Sequence, residues 1–427
     1  MGPIWPGLLA AALLAFAAPA APAPADDDFA SVVDKLIASV NDPRQPPLRG
    51  IDDEVVVGLS RDLGRLGLTD ERTRLFRAFA QSPRFSQLSP RVRSLTAIWV
   101  LRADAATLSE KDAVVLLRAV REPKRFVEFL AMRDYAAIWP LVETQVGPGM
   151  SLLLQGQVND ARDGLSPRRA DDRARSDLAL ARYRAGEFDE AVQLAAEIDH
   201  RPSRVKRLTE DQAWTLNTEA YALDGLGRRS EGDAIFELLA DIPLRASTPW
   251  IINFRINRAL RLVGYGEWGS GLKAAAAAEA LVPSGSVAIM GRTLLAGARV
   301  CALAGLGRAS EAAADLRFLD ANRQSQPKPA VQGFLCAGDD DRAAALAIES
   351  LQDPGRRDEM VALLQGPAFE LFYPPAPALP EIRRALRYRP DVADAFDRVA
   401  RDIPAVFAPR PGLAATGQGE GTSSSGR

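Results

Sequence analysis

The chain has 427 residues, 47% of them apolar and 25% charged, enough to bury a core and keep a wet surface. Its 53 basic and 55 acidic side chains leave a formal charge of −2, without the basic surplus of a nucleic-acid binder. Two cysteines and one histidine exclude a Cys/His metal cluster and any histidine relay that His200 does not serve, and His200-Arg201-Pro202 reads as a turn.

Ala, Leu, Arg and Asp dominate while β-branched and aromatic residues are thin, which favours helix over sheet. In chain order, residues 1–25 read as a signal peptide. Gly7 to Ala18 is an apolar block shorter than the ~20 residues of a membrane span. Small-x-small sites follow at Ala18-Pro19-Ala20, Ala21-Pro22-Ala23 and Ala23-Pro24-Ala25, ahead of Asp26-Asp27-Asp28. Cleavage and a periplasmic location are expected, with no integral span afterwards. No Lys or Arg precedes the block, which leaves an uncleaved anchor as the alternative, and no Cys follows it for lipid attachment.

Residues 26–149 are helical in pattern but poorly periodic. Phe29, Val32, Val33, Leu36, Ile37 and Val40 share one helical face. Ile51 to Leu66 and Glu71 to Gln81 follow. Ser89-Pro90 is an N-cap with proline at the first helical position, opening a helix through Trp99. Ser109 with Asp112 resembles a capping box for Glu110 to Val120, which Glu122-Pro123 ends. Phe126 to Leu130 and Tyr135 to Val142 complete this region.

Residues 150–365 repeat. Ala222 to Leu239, ALDGLGRRSEGDAIFELL, returns eighty residues later as Ala302 to Leu319, ALAGLGRASEAAADLRFL. Each copy reads as helix, Gly-Arg turn, helix. Six pairs share the spacing of a glycine ending one helix and a small residue five positions later in the next: Gly156 and Ala161, Gly186 and Ala191, Gly227 and Gly232, Gly266 and Gly271, Gly307 and Ala312, Gly338 and Ala343. The glycine adopts a left-handed conformation without a Cβ clash, and the small residue lets the two helices approach.

Leu178-Ala179, Tyr183 and Gly186-Glu187-Phe188-Asp189-Glu190-Ala191 resemble the tetratricopeptide repeat, and Gly266-Glu267-Trp268, Gly271, Ala278 and Pro283 are similar in the same register. The resemblance is degenerate: the first-helix Trp/Leu is missing or shifted, and glycine replaces alanine at 232 and 271. It implies an all-α, α-α superhelix of hairpins with a concave face lined by first helices, following an irregular N-terminal helical region. Carried over position by position, the partner-binding candidates are Tyr183, Trp214, Asn217, Tyr221, Asn253, Ile256, Asn257 and Leu260. Asparagine amides there would hold a peptide backbone, and Trp and Tyr would supply contact area. Burial between helices is the alternative for Trp214 and Tyr221, and a solvated face for the asparagines. The Lys, Asn and Arg set of the family's carboxylate clamp is missing, so chaperone tails are not implied.

Residues 366–403 read as a capping segment. Pro367, Pro374, Pro375, Pro377 and Pro380 surround Phe369, Leu371, Phe372 and Tyr373, whose aromatics are expected to close the last repeat. Pro380 to Arg389 and Asp391 to Arg401 read as short helices. Residues 404–427 are Pro, Gly, Ala and Ser with little to bury, and are expected to be disordered.

Several features have ordinary readings. Arg255, Arg258 and Arg261 form a basic, solvated and salt-bridged helix edge. Asp52-Asp53 and Asp339-Asp340-Asp341 complement helix N-termini. Trp99, Trp139 and Trp268 are core. Cys301 and Cys336 sit about one turn out of register in successive first helices, so free buried thiols are expected. The expectation is an exported, non-catalytic scaffold or adaptor that binds a protein or peptide and uses no cofactor or metal. Two alternatives remain: a carboxylate-dependent hydrolase of envelope glycan, with its acids in the N-terminal half, and a membrane-tethered assembly factor.

Overall fold

The computed structural model describes residues 26–42, 44, 53–166, 171–199, 201, 207–245, 248–282, 287–371 and 376–409. Residues 1–25, on which the signal-peptide expectation falls, His200, Phe372, Tyr373 and residues 410–427 lie outside them. The described residues are all-α, with twenty α-helices and no β-strand among them. They form two compact units, divided at Gly147 and Pro148.

The first unit contains α1 (Asp26–Asn41), α2 (Asp53–Arg65), α3 (Thr69–Gln81), α4 (Pro90–Asp104), α5 (Glu110–Ala119), α6 (Pro123–Ala131) and α7 (Trp139–Val146). Local chemistry sets its boundaries. Ser89 Oγ accepts the Val92 N–H at 3.1 Å, with Pro90 at the first helical position of α4. Ser109 Oγ accepts the Asp112 N–H to open α5, while its hydroxyl donates to the Asp112 carboxylate at 2.6 Å. Pro123 both ends the preceding stretch and starts α6. Phe76, Phe79, Phe126 and Phe129 are fully buried here. Trp99 is half-buried, stacked on Phe76, with the Arg72 guanidinium 3.6 Å from its ring centroid.

The second unit begins with α8 (Ser151–Leu165) and then builds five hairpins. These are α9 (Asp172–Arg184) with α10 (Phe188–Ala195), α11 (Glu210–Gly225) with α12 (Arg229–Ala240), α13 (Ile251–Gly264) with α14 (Trp268–Glu279), α15 (Val287–Gly305) with α16 (Ala313–Asn322), and α17 (Pro327–Cys336) with α18 (Asp340–Gln352). A short 3-10 turn, Ala309–Ala312, precedes α16. Each of α10, α12, α14 and α16 packs on its own first helix and on the next one. First helices also touch: α9 on α11, α13 on α15, α15 on α17.

The turn glycines 186, 227, 266, 307 and 338 all have φ between 70° and 79°, as the spacing predicts. Gly156 does not: it lies inside α8, which is a single helix. Val158 on its C-terminal side is fully buried against Leu178 and Ala181 of α9, so packing carries the helix through the glycine. The small residue of the second helix fits where a larger one could not. A Cβ at Gly232 would stand 2.8 Å from the Ala220 carbonyl oxygen, and one at Gly271 2.6 Å from Val263 Cγ2. Both positions carry glycine where the repeat pattern has alanine, and the reason is this closeness.

The eighty-residue period corresponds to two hairpins. The ring of Phe188 fills the space over Gly225, and eighty residues later Trp268 fills the space over Gly305. Arg228 pairs with Glu231, and Arg308 with Glu311, in the same geometry.

Three expectations are corrected here. Cys301 and Cys336 are joined in a disulfide, with Cα atoms 4.9 Å apart. Their helices come close because Gly297 of α15 and Gly333 of α17 face each other: a Cβ on Gly333 would be 3.8 Å from Gly297 Cα. Residues 404–409 are ordered. Ala405–Phe407 form a 3-10 turn, and Ile403, Phe407 and Ala408 are buried near the start of the same unit, with the Ala408 carbonyl close to Gly149. Finally, the proline-rich segment does more than close the last repeat. After α19 (Arg357–Gln365) and the turn Pro367–Phe369, where Phe369 and Leu371 are buried, residues 376–382 return to α13. A π-helical turn, Arg383–Arg387, and α20 (Pro390–Val399) then dock on α18, the π turn reaching α19 as well.

Candidate functional site

The first helices α9, α11, α13, α15 and α17 divide into two stretches with different chemistry. Along α11, every residue from Ala213 to Leu223 is buried. The segment Ala-Trp-Thr-Leu-Asn-Thr-Glu-Ala-Tyr-Ala-Leu has no strongly charged face, so neighbours cover it all round. Thr209 and Gln212 form a reciprocal capping box that starts it, a Thr-x-x-Gln signal present in the sequence but not used above.

Six of the eight candidate binding residues therefore lie inside. Tyr183, Trp214, Asn217, Tyr221, Ile256 and Asn257 are buried, and only Asn253 and Leu260 are half-exposed. Trp214 packs on Phe254 with ring centroids 4.8 Å apart. Tyr221 packs edge-on against Phe236. Asn217 and Asn257 do meet: the Asn257 amide donates to Asn217 Oδ1 at 3.0 Å, joining α11 to α13. They hold each other instead of lining an open surface.

The basic edge is also corrected. Arg261 is buried, not solvated, and donates to Asp224 through Nε at 3.0 Å and Nη2 at 2.5 Å; Asp233 is its second carboxylate partner. The Arg261 and Asp224 side chains are only 3% and 0% exposed. Burial pushes the guanidinium down, but the bonds and charges of Asp224 and Asp233 outweigh it and hold it above its ordinary value. Burial, reinforced by Asp224, pushes the neighbouring Tyr265 phenol up to about 12. The pairing crosses 37 residues, so a helix-face reading of Arg255, Arg258 and Arg261 has no access to it.

Downstream the row is different. Beside residues 376–382, the faces of α13, α15 and α17 leave a cavity of about 220 Å³. Leu260, Val263, Leu294 and Ala298 supply its apolar wall, Tyr221 of α11 and Arg261 reach it from the sealed stretch, and Cys301 of the disulfide lies in it. Lys328, Gln332, Glu370 and Glu381 supply polar groups. Lys328 Nζ is 3.0 Å from Glu370 Oε1, so these two charges neutralise each other.

The segment 376–382 holds this surface by few bonds. The Ala378 N–H donates to the Gly264 carbonyl at 3.0 Å. The Gln332 amide donates to the Pro380 carbonyl at 3.1 Å. Leu379 packs on the cluster of Val263, Ala298, Cys301 and Ala302. The Leu379 N–H closes a turn on the Ala376 carbonyl. Pro377, Ala378 and Pro380 remain exposed.

No cluster of three or more His, Cys, Asp or Glu suited to a metal occurs among the described residues. In the first unit the buried acid is Glu128. It is held by Arg102 at 2.9 and 3.0 Å, by Arg125 at 2.8 Å and by the Tyr135 hydroxyl at 2.9 Å. Its partners in these bonds are cations and a phenol, the chemistry of a structural ion cluster. The chain matches no protein-family model and no curated protein.

Proposed function

We propose that this is an exported scaffold or adaptor whose helical hairpins stack in the tetratricopeptide manner and bind another protein through first helices α13, α15 and α17. One observation carries the reading: that face already receives a peptide segment, the chain's own residues 376–382, through a backbone carbonyl, a side-chain amide and an apolar seat. Surfaces that take peptides combine main-chain bonds with a pocket for a side chain in this way. The repeated glycine turns and the degenerate repeat pattern support the stacking. The Cys301–Cys336 disulfide fits an oxidising compartment, and no helix among the described residues is long and apolar enough to cross a membrane.

The test is site-directed photo-cross-linking in the source cells. A photoreactive residue replaces Leu260 or Gln332 on this face, or Leu152, which is exposed on α8. A discrete protein adduct at 260 and 332 but not at 152, reproduced with the purified partner, is the expected result. Absence of any adduct from both positions overturns the reading.

A further inference from the structure

We infer that residues 376–382 are a built-in competitor, occupying a docking surface that a partner segment of the same chemistry, an apolar turn carrying Ala-Leu-Pro, takes over. The inference rests on the adaptor reading and names the partner class for it.

The first reason is the quality of the fit. A solvent-open cleft of about 220 Å³ remains between this segment, the first helices and the turn after α19, so the segment covers the surface only in part. Residues 376–380 send Leu379 alone into the apolar cluster of α13 and α15, and the next buried apolar side chain, Ile382, belongs to the pinned flank.

The second reason is how the flanks are pinned. On one side, Phe369 and Leu371 are buried and Glu370 is paired with Lys328. On the other, Arg383 donates to the Leu364 carbonyl and to Asp402, and Arg387 reaches Asp397 and Asp402. Gln365 ties α19 to the Arg401 carbonyl and the Ile403 N–H. Lifting 376–380 thus breaks two hydrogen bonds to the first helices, the half-buried Leu379 contact and the approach of Ala378 to Gly266, while Glu381, which caps the π turn, and buried Ile382 stay docked with α19, the π turn and α20. Local openings of this kind are the low-energy end of a protein's motions.

The third reason is chemical. The groups that hold the segment are a backbone carbonyl, Gly264 O, and a neutral amide, Gln332 Nε2, facing an apolar seat. These select a main-chain N–H, a carbonyl and an aliphatic side chain at fixed spacing, and the charges beside them are already bonded, Lys328 to Glu370 and Glu381 to the Arg383 and Arg384 N–H groups.

The experiment uses the full chain and a fluorescein-labelled peptide with the sequence Ala-Pro-Ala-Leu-Pro-Glu, copied from residues 376–381. Wild type should bind it weakly. Leu379→Asp, which unseats the competitor, should bind it roughly three- to five-fold more tightly, because the competent fraction rises. Adding Gln332→Leu should remove most of that gain, and a peptide with Asp in place of Leu should not bind. Equal binding by wild type and a folded Leu379→Asp variant overturns the inference. Hydrogen exchange at the Ala378 amide of wild type gives an independent answer should the variant misfold. Exchange well ahead of the α13 and α15 amides is expected, whereas exchange only on global unfolding makes the segment a fixed part of the core and sinks the proposal. Cross-linked adducts at 260 and 332 without peptide binding would refute the competitor and leave the adaptor reading standing.

Discussion

The upstream and downstream stretches of one row of first helices solve the same problem in opposite ways. Between α9 and α13 the space is sealed by side chains that bond to each other: Asn217 to Asn257, and Asp224 to Arg261. Between α13 and α17 it is covered by a returning loop, with a cavity left beside it. The first arrangement rigidifies, because buried polar groups tolerate only one geometry. The second leaves a surface that can change occupant. Most binding residues inferred from the repeat pattern are buried in the sealed stretch, while Tyr221 and Leu260 border the downstream cavity.

The contrast can be broken by substitution. Asp224→Ala leaves the buried Arg261 guanidinium with Asp233 as its one carboxylate and the Arg229 carbonyl, and should destabilise the chain by about 3–5 kcal/mol in urea unfolding. The double change Asp224→Leu with Arg261→Met should recover most of the loss; a larger loss in the double variant would show that the pair stabilises in its own right. Reduction of Cys301–Cys336, which closes a 35-residue separation, should cost about 2–4 kcal/mol, and alkylation of the denatured, unreduced protein should label no thiol. Labelling of two thiols would restore the free-cysteine expectation.

Gly232→Val drives its side chain into the Ala220 carbonyl and should cost about 1–3 kcal/mol, read from the thermal midpoint. A neutral result would mean that α11 and α12 are less tightly apposed than their geometry requires. The smallest effect belongs to the covered stretch. Leu379 is half-buried, so Leu379→Asp should lower stability by about 1 kcal/mol or less. A loss comparable to that of Asp224→Ala would erase the distinction between the two stretches.

Much of the architecture was legible in the residues. The five turn glycines from 186 to 338 appear because left-handed backbone and close helix approach both demand small residues, and those demands repeat. The caps at Ser89 and Ser109 are equally local. The glycine at 156 shows the limit: its spacing matches the others, yet the burial of Val158 keeps α8 continuous. Of the candidate surface, Leu260 and Tyr221 were found and Gln332, Gly264 and Leu379 were not, since nothing local marks them as neighbours.

By itself, then, the sequence determined the all-helical class, the hairpin period and the turns, since propensity, capping and glycine geometry act over a few residues. Only the tertiary structure decided which face is sealed, that Arg261 is buried, that the cysteines meet and where residues 376–382 come to rest. Each of those depends on groups about 30 to more than 100 residues apart, and on helix axes brought together at Gly297 and Gly333, which a linear pattern does not encode.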